Sequence, residues 1–185
     1  MKIEDKDFSI KSRRLILSHL KRKQLNETYL GWINNSMVNY YSDRRFQAPY
    51  TMADLCGYYN SMRTHEYMIA IQLMDGRHIG NLKIGPIDYG NEASEVAIMI
   101  GDTSYWNQRY GSESLYSISK FLFFSEGLHR LDAGSCNPAF INSVLKMGWN
   151  IEGYQKERIF LGDERIDFCW LGLLAKNFRI EKDYE

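Results

Sequence analysis

The sequence predicts a mixed α/β domain in which helices flank a mostly antiparallel central sheet, and two local patterns support this. The apolar runs Tyr67–Leu73 and His78–Ile84 are separated by a turn that contains Asp75-Gly76, which is a strong hairpin signal. Farther along, the apolar strand 95–100 is followed by a helix-period pattern that extends to about Glu126. Strands and helices therefore mix within one chain, and its 185 residues suit one domain, residues 1–185, with a sizeable core.

The other elements follow from periodicity and from residues that start or stop helices. In chain order they are a strand at 14–17, helices over 20–32 and 50–62, a strand at Arg130–Ser135, a helix from Asn137 to Gly148 and a hairpin of 158–161 and 166–174. Thr51 and Asn137 are the expected N-caps, and Pro138 suits the first helical position.

Composition argues against several classes of partner. Lys plus Arg and Asp plus Glu number 23 each, so no excess charge favours nucleic acid or an anionic membrane. The basic residues near the start, Arg13 and Arg14 among them, are predicted to be a solvated strand edge and helix face. A charged start and the lack of a long apolar run predict a cytoplasmic protein without a membrane partner. Three widely spaced cysteines and four scattered histidines indicate no metal site.

The junction from Ser104 to Leu115 is the most informative segment, because it connects an apolar strand to an amphipathic helix. Main-chain N–H groups at such a junction converge, and the helix dipole adds positive charge, so we name the segment the phosphate cradle. Gly111 allows a ligand to lie close to the main chain. The segment lacks the lysine of GxxxxGK[ST] and the glycines of GxGxxG, so coenzyme A is favoured over a nucleoside triphosphate or a dinucleotide.

This order of elements resembles the GNAT superfamily of acyl-CoA N-acyltransferases over about residues 13–174. The similarity is greatest to the branch that includes the ribosomal-protein N-terminal-alanine acetyltransferases. The matching segments are Trp32-Ile33-Asn34-Asn35 with Val38, Ile79-Gly80-Asn81, Ile100-Gly101, Tyr105-Trp106, and Asn137 with Lys146, Gly148 and Trp149. Arg109 replaces the first glycine of the family cradle, although its charge suits a phosphate. Phe140 and Val144 stand where relatives place a serine and a proton-donating tyrosine.

The resemblance implies an N-acetyltransferase in which a primary amine attacks the thioester of acetyl-CoA directly. It implies that a bulge in strand 95–100 frees N–H groups that hold the pantetheine arm. Glu95 matches a glutamate that accepts the ammonium proton, although a solvated strand-end carboxylate explains it equally well. Asn137 is expected either to bind pantetheine or only to cap its helix. The implied cofactor contacts are Ile98, Met99, Ile100, Asn107, Gln108, Arg109, Tyr110, Gly111, Ser112, Asn137, Asn142 and Lys146.

The acceptor amine is left open by the sequence. The nearest branch implies a protein N-terminal amine. A nucleotide-linked amino sugar is the alternative, because Tyr40 and Tyr41 suit a carbohydrate and Arg44 and Arg45 suit a diphosphate. A non-catalytic acyl-CoA-binding module is a third interpretation, since the expected serine, tyrosine and first glycine are missing. We expect a monomer or a homodimer.

Overall fold

The computed structural model describes residues 1–180 and contains, in that range, one eight-stranded sheet and four α-helices. The strands are β1 (Ser9–Lys11), β2 (Leu15–His19), β3 (Tyr67–Leu73), β4 (His78–Ile84), β5 (Ala93–Ile100), β6 (Arg130–Ser135), β7 (Asn150–Leu161) and β8 (Glu164–Leu174). The helices are α1 (Glu27–Asn34), α2 (Met52–Asn60), α3 (Tyr110–Phe124) and α4 (Pro138–Lys146). The predicted mixed fold with a mostly antiparallel sheet is confirmed.

The sheet splits in its middle. The strand order is β1-β2-β3-β4-β5-β6-β8-β7, and every neighbouring pair is antiparallel except β5 with β6. That parallel pairing is short, from Ala93 beside Arg130 to Glu95 beside Asp132. Beyond this split point β5 pairs only with β4 and β6 only with β8, as far as residues 1–180 show. A cleft therefore opens between the diverging ends of β5 and β6.

The two faces of the sheet are covered differently. On one face α3 and α4 bury a continuous core that contains Val96, Leu131 and Leu171. On the other face α1 and α2 cover the first strands through a smaller cluster that contains Trp32 and Ala70. In residues 1–180 no α-helix covers the part of this second face that holds Glu95 and Ala97 of β5, Asp132 of β6 and Trp170 of β8, and we call that exposed area the open face.

The first helix differs from the prediction of residues 20–32, because α1 begins only at Glu27. Asn26 is extended and its side chain accepts a hydrogen bond from the Tyr29 N–H, which starts the helix there. A short 3₁₀ turn at Arg22–Gln24 occupies the first part of the predicted helix. The predicted caps Thr51 and Asn137 both accept N–H bonds at the starts of α2 and α4.

Two strand assignments at the sheet edges were incomplete. The short edge strand β1 was not predicted, and β7 begins at Asn150 instead of residue 158. The first part of β7 is polar, its pairing with β8 shifts register twice, and Glu157 has a φ of +51°. An exposed, bulged edge strand lacks the regular alternation on which strand prediction depends.

Candidate active site

The main chain of β5 presents hydrogen-bonding groups to the cleft. The Glu95 C=O accepts from the Gly85 N–H at 2.9 Å, and the Gly101 N–H donates to the Ile79 C=O at 3.0 Å, so these residues face β4. The main-chain groups of the residues that alternate with them therefore point to the cleft. These residues are Val96, Ile98 and Ile100. Trp106 confirms this direction, because its Nε1–H donates to the Ile100 C=O at 2.8 Å.

The prediction of a bulge in this strand is wrong. Pairing of β4 with β5 runs from Gly80 beside Ile100 to Ile84 beside Val96 without a register shift. The cleft-facing groups of β5 are freed by its separation from β6. The Met99 side chain packs against the cluster under α1 and α2, and its predicted main-chain contact with the cofactor stays a prediction.

The phosphate cradle has the backbone conformation that the missing glycine would allow. Asn107 and Arg109 have φ values of +60° and +64°, both in the left-handed region. Arg109 thus adopts a conformation that a glycine takes more readily, at a cost of about 1 to 2 kcal/mol for a residue with a side chain. The substitution therefore leaves the turn into α3 intact.

The start of α3 lacks a side-chain cap, unlike the starts of the other three α-helices in residues 1–180. The first helical hydrogen bond is made by the Glu113 N–H, which donates to the Arg109 C=O at 2.9 Å. The N–H groups of Tyr110, Gly111 and Ser112 therefore have no acceptor within the helix. Together with the helix dipole, they form a site suited to a phosphate group.

Gly111 lies where the cradle meets the edge of β5. A Cβ built at this position lies 3.7 Å from Ile100 Cγ1 and 3.8 Å from Ile98 Cδ1, which is ordinary contact. Packing within the protein therefore does not require a glycine here. A branched side chain would extend toward the cleft-facing residues of β5.

The predicted contacts on α4 lie on the other side of the cleft, since α4 follows the diverging end of β6. Asn137 is half-buried, and its Oδ1 accepts from the Ala139 N–H at 2.9 Å, so its capping role is met without a ligand. Asn142 and Lys146 are exposed on α4. Phe140 and Val144 have hydrocarbon side chains that cannot donate a proton, and the structure places Val144 fully buried and Phe140 against the main core.

Glu95 lies at the split point itself and is exposed on the open face. Its register partner is Asp132, and side-by-side residues of neighbouring strands share a face, so the two carboxylates are adjacent. Arg130 donates from Nε to Asp132 Oδ1 at 2.7 Å and also binds Glu152. Hydrogen bonds to Glu152 and Asp132 raise the pKa of Arg130. The hydrogen bond between Arg130 and Glu152 also lowers the pKa of Glu152. With Glu95 included, these four groups carry a net negative charge.

An aromatic platform adjoins these carboxylates on the open face. A Cβ at Gly134 would lie only 2.6 Å from Phe168 Cζ, because the rings of Phe168 and Trp170 lie across this glycine. The two ring centroids are 5.3 Å apart in an edge-on arrangement, and Trp170 remains 44% exposed. A cationic group near the split point would therefore meet carboxylates and aromatic rings together.

The two arginines considered for a diphosphate bind the protein instead. Arg44 donates to the Ala48 C=O at 2.8 Å and lies over the Tyr50 ring at 3.5 Å. Arg45 donates to the Ser42 and Phe160 carbonyls, which ties its loop to β7. Both guanidinium groups are thus engaged in holding the loop between α1 and α2.

Asn81 of the predicted Ile79-Gly80-Asn81 motif is buried and pairs with the half-buried His78 that precedes the motif. His78 Nε2 and Asn81 Oδ1 are 2.9 Å apart, and the His78 ring packs edgewise on Trp32 at 5.0 Å. Burial lowers the pKa of His78, which favours the neutral ring, and Asn81 Oδ1 is an acceptor for an N–H at Nε2. This pair links β4 to α1 and does not reach the cleft-facing edge of β5.

Sequence reasoning missed the role of Arg14, which was expected to be solvated. It forms an ion pair with Glu113 of α3 at 2.7 Å, and the Glu113 side chain is only 1% exposed. A buried acid in the first turn of a helix is a signal that a basic partner is needed. Which of the several basic residues near the start supplies it is visible only in the structure.

Comparison with known proteins identifies the class. The uncapped helix start beside the split in the sheet suits a phosphate group, and the model of the family described as Acetyltransferase (GNAT) domain matches residues 14–139. The chain belongs to this family, whose members are N-acetyltransferases that use acetyl-CoA. A comparison with curated proteins gives no match.

Solved structures of this family are similar to the chain in fold. A GNAT-family acetyltransferase from Bacillus anthracis superimposes with a TM-score of 0.74 at 23% identity, covering 91% of this chain and 99% of that one. A spermidine N-acetyltransferase from Vibrio cholerae in complex with CoA and spermine gives 0.75 at 20% identity, covering 88% and 96%. At these identities the likeness concerns the fold alone. No helix in residues 1–180 has the length and apolar character needed to cross a membrane, and no three metal-binding side chains cluster in that range.

Proposed function

We propose that this enzyme transfers the acetyl group of acetyl-CoA to a primary amine of a small acceptor that carries a second positive charge. The observation that carries the proposal is the split point, where an uncapped cradle follows one diverging strand and two carboxylates mark the point of divergence. The cofactor and the acceptor then approach the split from opposite faces of the sheet.

The chain's own groups fit the cofactor. The N–H groups of Tyr110, Gly111 and Ser112 would hold the pyrophosphate, and the Ile98 main chain and the Ile100 N–H would bind the pantetheine arm, since the Ile100 C=O already accepts from Trp106. An N–H of this edge would also support the thioester oxygen as negative charge develops on it. Acetyl-CoA supplies an activated acyl group with a thiolate leaving group, so the protein needs no side-chain nucleophile.

Glu95 is proposed as the base. Alkyl ammonium groups are protonated at neutral pH, so the acceptor must lose a proton before it attacks. Glu95 is exposed on the open face beside the split point and accepts this proton directly or through a water molecule. Its place at the end of the β5–β6 pairing sets it close to the beginning of the cleft.

The choice of acceptor follows from charge. Asp132 and Glu152 share one arginine, so this part of the open face keeps a negative charge beside Trp170. A second ammonium group on the acceptor would gain from both the carboxylates and the aromatic ring. The similar Vibrio cholerae enzyme is a spermidine N-acetyltransferase that binds spermine, which supports a di- or polyamine acceptor.

A protein N-terminal amine is the second candidate, because the open face leaves Ala97 and Glu95 accessible to a chain end. The nucleotide-linked amino sugar has less support, since Arg44 and Arg45 already bind carbonyl groups. A non-catalytic acyl-CoA-binding module predicts the same cofactor contacts without turnover.

Turnover of acetyl-CoA with a panel of amines tests the proposal. We expect spermidine and putrescine to be acetylated with a higher kcat/KM than neutral monoamines, peptides or amino sugars, and we expect CoA to raise the melting temperature. Gly111→Val should weaken CoA binding about tenfold by blocking the edge of β5. CoA binding without turnover of any amine would support the module, and preference for a peptide would support the N-terminal amine.

A further inference from the structure

A buried carboxylate lies in the first turn of α3, the helix whose start forms the proposed phosphate site. Glu113 is the fourth residue of α3, and its side chain is 1% exposed. Its Oε1 accepts from Ser12 Oγ at 2.7 Å and from the Arg14 N–H at 2.8 Å, while its Oε2 accepts from Arg14 Nε at 2.7 Å. These bonds attach the turn between β1 and β2 to the first turn of α3.

Arg14 continues from this carboxylate to the cradle. Its Nη2 donates to the Gln108 C=O at 3.1 Å, and its guanidinium carbon lies 4.1 Å from the centre of the Tyr110 ring. Gln108 stands between Asn107 and Arg109, the two left-handed residues that turn the chain into α3. One guanidinium group therefore contacts the turn, the first helical residue and the buried acid together.

We propose that Arg14 is a positioning residue for the phosphate cradle, held in place by Glu113, so that acetyl-CoA recognition depends on a contact remote from the thioester. This inference rests on the proposed binding of the CoA pyrophosphate at the start of α3. Two non-glycine residues in left-handed conformations need outside support to persist. The Arg14 contact to Gln108 supplies it from the opposite side of the turn.

Charge gives the pair a second role. Glu113 lies three residues beyond Tyr110, which is about 5 Å along the helix axis, so its negative charge opposes an anion at the helix start. The positive charge of Arg14 offsets that negative charge and so reduces the repulsion of a phosphate at the helix start. Removing the arginine should therefore both loosen the turn and expose the phosphate site to repulsion.

The far end of α3 offers a matched control. Glu126 is also a buried acid with a side chain 1% exposed, it pairs with Lys2 at 3.7 Å, and it accepts from the Ile3 N–H. It attaches the N-terminal residues to the end of α3 instead of its start. Glu126→Gln therefore reports what loss of a buried charge does to the fold without touching the cradle.

The test compares acetyl-CoA with S-acetylpantetheine, which carries the same thioester but no pyrophosphate. In Arg14→Met we expect kcat/KM for acetyl-CoA to fall at least about tenfold through KM, with kcat at saturation within about twofold of wild type. Activity with S-acetylpantetheine should stay near wild type. Glu126→Gln should keep the wild-type preference for acetyl-CoA even where its melting temperature falls. Equal losses on both thioesters in Arg14→Met would overturn the proposal.

Two further variants remain informative if Arg14→Met folds poorly. Arg14→Lys keeps the charge beside Glu113 but cannot span to Gln108, so we expect an intermediate loss of preference for acetyl-CoA. Glu113→Gln removes the anchor of Arg14 as well as the opposing charge, and because the turn loses its support we expect CoA binding to weaken despite the relief of that charge. If Arg14 instead bound the phosphate directly, removal of the neighbouring acid would strengthen CoA binding, and that result would refute the positioning role. A wild-type enzyme without preference for acetyl-CoA would contradict the proposed cofactor site itself.

Discussion

The two halves of the sheet contrast sharply in how they are covered. Strands β2 to β4 are packed on both faces, so Ile69 and Ala70, which point in opposite directions, are both fully buried. Strands β6, β8 and β7 are packed on one face only, so Leu171 is buried while its neighbour Trp170 is 44% exposed. The packed half supplies a rigid support, and the half-covered part leaves room for an acceptor.

Strand β5 belongs to both halves and holds the proposed chemistry. Its pairing with β4 is regular over five register pairs, whereas its pairing with β6 ends after three. A strand fixed on one side and free on the other can present main-chain groups without losing its position. Four predictions test this contrast between the packed and the half-covered parts.

The largest effect is expected from a substitution in the packed half. A Cβ at Gly80 would overlap the Met99 carbonyl oxygen, so Gly80→Val should separate β4 from β5 and lower the free energy of unfolding by about 4 kcal/mol. Chemical denaturation of the variant measures this. Gly153 of β7 has no atom within 4 Å of its Cβ position, so Gly153→Ala should change stability by less than about 0.5 kcal/mol. Equal stabilities of the two variants would contradict the contrast.

At the boundary, Glu95→Gln should lower kcat by roughly 10²-fold or more while CoA affinity stays near wild type. The physical reason is loss of the proton acceptor beside the split point, and the deficit should be greatest at low pH, where more of the acceptor is protonated. Steady-state kinetics from pH 6 to pH 9.5 measure it. Full activity across that range would make Glu95 a solvated carboxylate and leave deprotonation to the solvent.

In the half-covered part, Asp132→Asn should raise the KM for spermidine about tenfold, because one charge-assisted contact with the second ammonium is lost. The KM for a neutral monoamine should hardly change, and the salt dependence of spermidine turnover should decrease. Asp75→Asn makes the same change of charge in the exposed turn between β3 and β4 and serves as control. Equal changes in the KM values for spermidine and for the monoamine would show that Asp132 does not contribute to acceptor recognition.

The smallest effect concerns pH. Burial lowers the pKa of His78 below its unfolded value, so the unfolded chain binds the proton more readily than the folded one. The contribution of His78 to the free energy of unfolding is fully present above its unfolded pKa, near 6.5, and is lost as pH falls toward its folded pKa. His78→Gln should therefore flatten the decline in stability below about pH 6.5, measured by thermal melts, while His129→Gln at an exposed site should not. If stability declines equally at low pH in His78→Gln and in the wild type, groups other than His78 cause the decline.

Local signals predicted much of the fold. The Asp75-Gly76 turn, the Thr51 cap and the Asn137-Pro138 start are all present, because each depends on a few neighbouring residues. Predictions failed where a partner distant in sequence decides the outcome. The edge strand β1 exists because it pairs with β2, and the long β7 exists because it pairs with β8.

The candidate site divides in the same way. The position of the cradle between a strand and a helix was predicted, whereas the left-handed Arg109 and its support by Arg14 were not. Arg44 and Arg45 show the opposite error, since exposed-looking arginines in a polar segment turned out to hold a loop. A charge pattern indicates that a partner is required, but it does not name the partner.

By itself the sequence determined the order of elements, the place of the strand-to-helix junction at Gly111 and the absence of a side chain for proton donation at Phe140 and Val144. These follow from residue types and short spacings along the chain. The tertiary structure alone decided that β5 leaves β6 after Glu95, that Asp132 stands beside Glu95 and that Glu113 is neutralised by Arg14. Such features depend on strand register and on contacts about 100 residues apart, which no local pattern encodes.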